Sequence, residues 1–210
     1  GPTRRSSDLV RNNVNRTNME KANYMDKSLI VDILTKSFED NLSVNYIIKQ
    51  DRKRERRIRA LMDYSFEVCY LFGDVFLSND KKACALIVYP DKKKTTLKSV
   101  WLDLALIFRS VGISNISKTL KREKLINSAH PKTPFSYLWF IGVAPGDQNK
   151  GIGSKLLQSV LEYSDQQSRP VYLETSTVRN LPWYSKFNFQ PYHEEDLTYH
   201  LYFFRREVKM

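Results

Sequence analysis

The chain has 210 residues, 41% hydrophobic and 27% charged, with 34 Lys and Arg against 23 Asp and Glu for a formal net charge of +11. That supports one domain with a substantial core. Two cysteines, Cys69 and Cys84, exclude a disulfide framework; three histidines without ligand spacing give no metal site; and the longest apolar run, Val100 to Ile113, contains Asp103 and Arg109 and is too short for a membrane span.

Residues 1–18 are expected to be a disordered tag or non-native leader, followed by a single domain over 19–210. Gly1-Pro2 resembles a protease scar, Pro2 to Leu9 reads like translated adapter sequence, and the rest is polar and aperiodic. Removing the four arginines and one aspartate of this segment leaves a net charge of +8. With no signal peptide in the pattern, a reducing cytoplasm is the expected location.

A first strand is expected near Lys21 to Met25. A helix follows with Asp26 as N-cap, and Ile30, Ile33, Leu34 and Phe38 form its apolar stripe. A second helix over Arg52 to Leu71 turns Ile58, Leu61, Met62, Ser65 and Phe66 inward. Asp74 to Ser78 and Ala83 to Tyr89 read as paired strands around Asn79-Asp80. Helices over Leu97 to Val111 and Ser117 to Asn127 precede a nearly continuous apolar run, Tyr137 to Val143, that suits a strand covered on both faces. Ile152, Leu156, Leu157, Val160 and Leu161 recur at helical spacing, so a helix opens near Gly151 or Gly153 and runs to about Gln167. A strand over Val171 to Thr175 comes next, then a short helix with Asn180 as N-cap and Pro182 in its first turn. That helix closes at Phe187-Asn188-Phe189, where Asn188 takes a position asking for positive φ. Strands near Gln190 to His193 and Thr198 to Arg205 finish the chain, with Glu194-Glu195-Asp196 between them.

The turn after Val143 carries Gln148, Gly151 and Gly153 in the order Q-x-x-G-x-G. A helix start presents unpaired N–H groups with the positive end of the helix dipole behind them, and glycine allows close approach, so the turn suits an anion. Neither the Gly-Lys-Ser/Thr ending of a P-loop nor G-x-G-x-x-G is present. An ordinary strand-to-helix turn with glycines for steric reasons is the simpler alternative.

With Val143-Ala-Pro145 ending the strand and Gln148 to Gly153 in the turn, residues from about Ser136 to Phe189 resemble the GNAT superfamily of acyl-CoA-dependent N-acyltransferases. The resemblance implies an α/β fold: a mixed, mostly antiparallel six- to seven-stranded sheet with a splayed parallel central pair and helices on both faces. The two helices between the third and fourth strands are then an insert that walls the acceptor pocket. It also implies acetyl-CoA as acyl donor, without a metal. Pantetheine would lie along backbone near Ile141 and Val143, and pyrophosphate on N–H groups from Gln148 through Asn149, Lys150, Gly151, Ile152, Gly153 and Ser154, with Lys150 or Lys155 pairing residual charge. Where many members have an Asn this chain has Thr177; Asn180 takes over that cofactor contact or only caps its helix.

Tyr184 matches the family's general acid. A phenol of pKa about 10 can donate to a thiolate whose thiol lies near 8.5 if within hydrogen-bond reach, and the alternative is a packing aromatic. Glu174 is the candidate base, acting through water or on an amine of lowered pKa; it is equally a structural carboxylate, and His193 competes. Lys49 to Arg59 holds seven basic residues against two acidic, and Lys92-Lys93-Lys94 forms a second cluster. Without interleaved aromatics these read as solvated faces that attract anionic CoA, so no nucleic-acid partner is expected. Glu194-Glu195-Asp196 is placed to attract a cationic amine.

The implied function is an acetyl-CoA-dependent N-acetyltransferase acting on a primary amine of a small molecule. The YLETS strand and NLPWY helix are most similar to the branch holding puromycin-type antibiotic acetyltransferases, which suggests an antibiotic or polyamine-like acceptor. Alternatives are an N-acyl amino acid synthase, with Val100 to Ile113 lining a channel for a long acyl chain, and a non-catalytic acyl-CoA-binding regulatory module. No membrane partner is expected, and the protein is expected to be a monomer or homodimer.

Overall fold

The computed structural model of the chain describes residues 18–210, so the expected leader lies outside the described residues except for Asn18. The elements in order are β1 (Met19–Lys21), α1 (Lys27–Ser37), α2 (Leu42–Ile47), α3 (Arg54–Phe72), β2 (Gly73–Ser78), β3 (Ala83–Val88), α4 (Leu97–Leu106), α5 (Ile116–Ala129), β4 (Ser136–Val143), α6 (Ile152–Gln166), β5 (Val171–Thr175), α7 (Leu181–Lys186), β6 (Gln190–Asp196) and β7 (His200–Arg206). The seven strands form one sheet in the order β1-β2-β3-β4-β5-β7-β6. Every neighbouring pair is antiparallel except β4 and β5, which run parallel. This is the mixed sheet with one central parallel pair that the resemblance implies.

Alternation along β2 and β3 divides the core in two. Val75, Leu77, Cys84, Leu86 and Val88 face Ile30 and Leu34 of α1 and Ile58, Leu61, Met62 and Phe66 of α3. Phe76, Ala85 and Ile87 point the other way, onto Leu156, Leu157, Val160 and Leu161 of α6. Each large side chain buried in this way contributes roughly 1.5–3 kcal/mol of apolar transfer. The two cysteines are free and buried in the first of these layers. Beyond β5 a bidentate pair, Arg206 to Asp165 at 2.8 and 2.9 Å, ties β7 to α6.

Several boundaries differ from expectation. β1 lies at Met19–Lys21, ahead of the expected Lys21 to Met25, and residues 24–26 form a 3-10 turn. Asp26 caps this turn from within: its carboxylate accepts from the Asn23 N–H while the Asn23 side chain accepts from Met25 N–H, so it makes no side-chain cap on α1. Helix α2, which no periodicity announced, opens on Asn41 accepting from Val44 N–H at 3.0 Å. Glu194, Glu195 and Asp196 are not a loop; they continue β6 against Tyr202, Leu201 and His200 of β7. Between β3 and β4, α4 widens into a π-type turn over Ile107–Val111, and Gly112 at φ 75° redirects the chain into α5.

No loop separates α3 from β2. Gly73 both ends the helix and pairs with Val88 as the first strand residue. A Cβ there would stand 1.9 Å from the Ile87 carbonyl oxygen, which is fixed in the ladder and has nowhere to retreat. Gly73→Ala is therefore expected to destabilise the domain by at least about 2 kcal/mol in urea unfolding; a loss under about 0.5 kcal/mol would show that the joint is relaxed.

Candidate active site

The site begins where the parallel strands part. β4 and β5 are in register only at Ser136 with Val171 and Tyr137 with Tyr172. Just beyond, β4 carries a bulge: Leu138 pairs with Ile87 and Phe140 with Leu86, which leaves Trp139 as the extra residue. A bulge bends its strand and re-aims side chains, and here β4 turns away from β5. The half-buried residues that alternate along β4, Tyr137, Trp139, Ile141 and Val143, line the gap.

The gap holds an inner cavity of about 130 Å³ and an outer groove of about 1080 Å³, which share Ile141, Ser176, Asn180 and Trp183 as walls. The outer groove is floored by the glycine turn. Gly146, Asn149 and Gly151 all take positive φ, at 87°, 63° and 78°. Gly151 sits at the N-cap of α6, where no side chain caps the helix and no acidic residue enters its first turn. The two signature glycines do different work. A Cβ on Gly151 would meet nothing within 4 Å, so that glycine serves backbone conformation, whereas a Cβ on Gly153 would lie 3.1 Å from Val143 Cγ2, so that one allows α6 to pack on β4. Trp183 Nε1 donates to Ser154 Oγ at 2.9 Å and locks α7 to the start of α6.

Of the residues assigned to cofactor binding, Ile141, Val143, Gln148, Asn149, Gly151, Ile152, Gly153, Ser154 and Asn180 line the groove. Lys150 does not; its ammonium is held 3.3 Å from Asp147, which also pairs with Lys82. The Lys150 hydrogen bond, then Lys82, holds the Asp147 carboxyl below its usual range. Asn180 makes no side-chain cap on α7, contrary to one of its two expected roles, and faces both spaces. Lys36 and Arg179 bring positive charge to the groove, and Glu39 and Asp40 negative charge, from positions that no motif marked. Ser176 Oγ is buried, borders both spaces and has no hydrogen-bond partner. An orphaned hydroxyl, an uncapped helix start and a strand edge without a neighbour fit a long ligand with an anionic end.

Tyr184 and Glu174 both line the inner cavity. Tyr184 is buried against Trp183, Phe189 and Phe204, and burial pushes its phenol well above 10. Glu174 is not a bare base. Its carboxylate accepts from Tyr137 Oη at 2.6 Å and pairs with His130 Nε2 at 2.9 Å, and the Glu174 and His130 side chains are 3% and 7% exposed. Burial first, then the Glu174 charge, raises the Tyr137 phenol. On the opposite wall Arg122 donates to Tyr199 Oη at 2.9 Å, Ser43 Oγ at 2.7 Å and Glu123 at 3.1 Å. The insert thus does wall this cavity, through Arg122 and Glu123 of α5.

His193, the competing base, lies on β6, paired with Glu195, and Glu194 pairs with His200; neither they nor Asp196 line either space. The acidic triplet is therefore no part of the inner cavity's wall. Residues 97–111 line neither space. His130, Tyr137 and Arg122 were missed from sequence. Strand alternation could not have placed Tyr137, because the bulge at Trp139 puts it on the face of Val88, opposite Ile141, and His130 ends a helix with no motif and meets Glu174 only through the tertiary fold.

Residues 111–189 match the model of the acetyltransferase (GNAT) family. A 53-residue segment is 40% identical to an uncharacterized N-acetyltransferase of Schizosaccharomyces pombe, covering 25% of this chain and only 22% of that protein. In fold the chain is similar to a histone acetyltransferase HPA2 and related acetyltransferase from Corynebacterium glutamicum, with TM-score 0.66 at 17% identity over 91% of this chain and 96% of the other. It is also similar to the C-terminal condensation domain of Ebony, solved with beta-alanyl-dopamine, with TM-score 0.64 at 9% identity over 90% and 98%. A mosquito arylalkylamine N-acetyltransferase like 5b gives TM-score 0.54 at 13% identity over 90% and 99%. The chain thus shares the fold of the Corynebacterium glutamicum acetyltransferase, and its residues 111–189 resemble the acetyltransferase (GNAT) family.

Tyr137→Phe removes one of two side-chain donors from a buried carboxylate and is expected to cost about 1–3 kcal/mol of stability. Tyr70→Phe, at the surface, should change the same denaturation midpoint little; equal effects would mean that Glu174 does not depend on Tyr137.

Proposed function

We propose that the chain is an acetyl-CoA-dependent N-acetyltransferase acting on a primary amine of a small molecule. The observation that carries this reading is the splayed β4–β5 pair ending on an uncapped, glycine-led helix, with the orphaned Ser176 Oγ between the two spaces. Backbone near Ile141 and Val143 would hold the pantetheine arm. The turn from Gln148 to Ser154, with Asn180, would hold the pyrophosphate, and Arg179, Lys36 and Lys155 supply charge in place of Lys150. When bound, acetyl-CoA supplies an acetyl group activated as a thioester.

The remaining work falls to the inner cavity. Attack forms the N–C bond and breaks the C–S bond; Glu174, directly or through a water, receives the amine proton. Tyr184 stays protonated across the neutral range because burial raises its pKa. Since a thiol titrates near 8.5, full transfer from so weak an acid is uphill, and the phenol acts chiefly by hydrogen-bonding the departing thiolate. Glu174 and Glu123 stand with Arg122 around one small cavity, so an amine that also carries an acidic or accepting group fits better than a polycation such as a polyamine. The puromycin-type branch remains our proposal for the kind of drug-like amine to try. A long-chain donor, as in an N-acyl amino acid synthase, loses its motive because the helix meant to line its channel faces outward. A cytoplasmic location belongs to the same reading.

Acetyl-CoA at a hundredfold its Kd should stabilise the protein by about 2.7 kcal/mol in a thermal-shift titration. No shift would remove the donor assignment, and a shift without thiol release from any amine would leave a regulatory binding module. Tyr184→Phe should lower kcat at least about tenfold with acetyl-CoA affinity unchanged; full activity would reduce Tyr184 to packing.

In a thiol-release screen of aminoglycosides, nucleoside antibiotics, polyamines, peptides and amino acids, acceptors bearing a carboxylate should have lower KM than their methyl esters. Arg122→Gln should erase that difference. A preference for esters or polyamines would overturn the mixed-charge reading of the cavity.

A further inference from the structure

Helix α4, with the sequence LKSVWLDLAL, is largely apolar, yet none of its residues is buried. Leu97, Trp101, Leu104 and Phe108 recur at i, i+4, i+7 and i+11, so they lie on one face that continues into the turn Ile107–Val111. They are 93, 69, 45 and 69% exposed, and Val100 at 44% flanks them. The helix is held to the domain from its other side. Asp103 accepts from Tyr64 Oη at 2.7 Å, Lys98 stands 3.6 Å from Glu67, and the buried Ser110 donates to the Arg57 carbonyl at 2.8 Å. The apolar face is thus presented by a fixed element, and it serves neither cavity.

Exposed basic residues border it, Lys92, Lys93 and Lys94 just before the helix and Arg109 near its end, while Lys98 in its first turn is paired with Glu67. The two acidic neighbours, both exposed, are already bonded, Asp103 to the Tyr64 hydroxyl and Asp91 to Arg169, which neutralises it. We propose that this face docks the protein on an anionic membrane surface, with Leu97, Trp101, Leu104 and Phe108 entering the headgroup boundary and the basic residues meeting acidic headgroups. Aromatic and aliphatic side chains on one face with lysines beside them are what the interface of a charged bilayer takes up.

Two observations select this occupant. A two-fold contact with a second copy would set the same basic border against itself, whereas an anionic surface is attracted to it. The helix with its widened turn is about 22 Å long, short of a hydrocarbon core of about 30 Å, and the next helix leaves at 103°, so the element lies along a surface. No single helix among the described residues is long and apolar enough to cross a membrane. The sequence expectation of no membrane partner rested on that criterion, which does not reach a helix lying in the interface. The following helix carries Arg122 and Glu123 into the inner cavity, so the docked element is continuous with the cavity wall.

The test is co-sedimentation of the full chain with vesicles of phosphatidylcholine alone or mixed with phosphatidylserine. Binding at least roughly tenfold stronger to the anionic vesicles, weakened by salt, is expected. Trp101→Ser with Phe108→Ser should reduce it about tenfold or more while the melting temperature, measured alongside, stays unchanged. The triple variant Lys92→Gln, Lys93→Gln, Lys94→Gln should weaken binding to anionic vesicles only. Three results would each overturn the proposal: no binding to either vesicle, binding that the double variant leaves intact, or a dimer in gel filtration that the double variant dissolves without any vesicle binding.

Discussion

Parallel strands normally share a ladder along their whole length, and every backbone group in it is paired. Here the ladder between β4 and β5 stops after two residue pairs because β4 spends Trp139 on a bulge against β3. Everything at the site depends on that early parting. It leaves one edge of β4 without a strand neighbour, makes room for a cavity beneath and a groove above, and gives the next connection, the glycine turn, a position at the groove's mouth. Trp183 and Ser154 then join the two helices that flank the opening.

Within that shape the polar groups divide cleanly. The groove offers the N–H groups of the glycine turn, with Lys36 and Arg179 and also Glu39, Asp40 and Asp147 along its walls. The cavity beneath is crowded with groups already bonded to one another: Glu174 with Tyr137 and His130, and Arg122 with Tyr199 and Ser43. A buried carboxylate is tolerable only because its charge is met on both oxygens. The same bonds that make Glu174 affordable to the fold also fix where it points, so structural carboxylate and candidate base are one residue in two roles.

What could be read from sequence follows the range of the interactions involved. The glycine turn, α6, β5, and Asn188 at φ 66° were legible because local periodicity and backbone chemistry determine them. The inward set on α3 was legible for the same reason. Asp26 does stand at the N-cap position of α1, but its carboxylate is taken by the Asn23 N–H, so the helix gains no side-chain cap from it. The acidic triplet looked like a loop because strand pairing with β7, not residue type, extends β6 that far. His130 and Arg122 were invisible because their partners lie on distant strands and helices; only the assembled fold brings Glu174 within 2.9 Å of an imidazole 44 positions away.

The connection carrying α4 and α5 sits between two strands that are direct antiparallel neighbours, β3 and β4. Neighbouring strands joined by a tight turn zip rapidly, but these must close a long loop before their first contact is made, and the entropy of closure is met only afterwards. The α3–β2–β3 segment has no such delay. Order should therefore spread from that segment toward β4 and β5, which places the gap between them among the last parts of the molecule to assemble and exposes its apolar walls longest during synthesis.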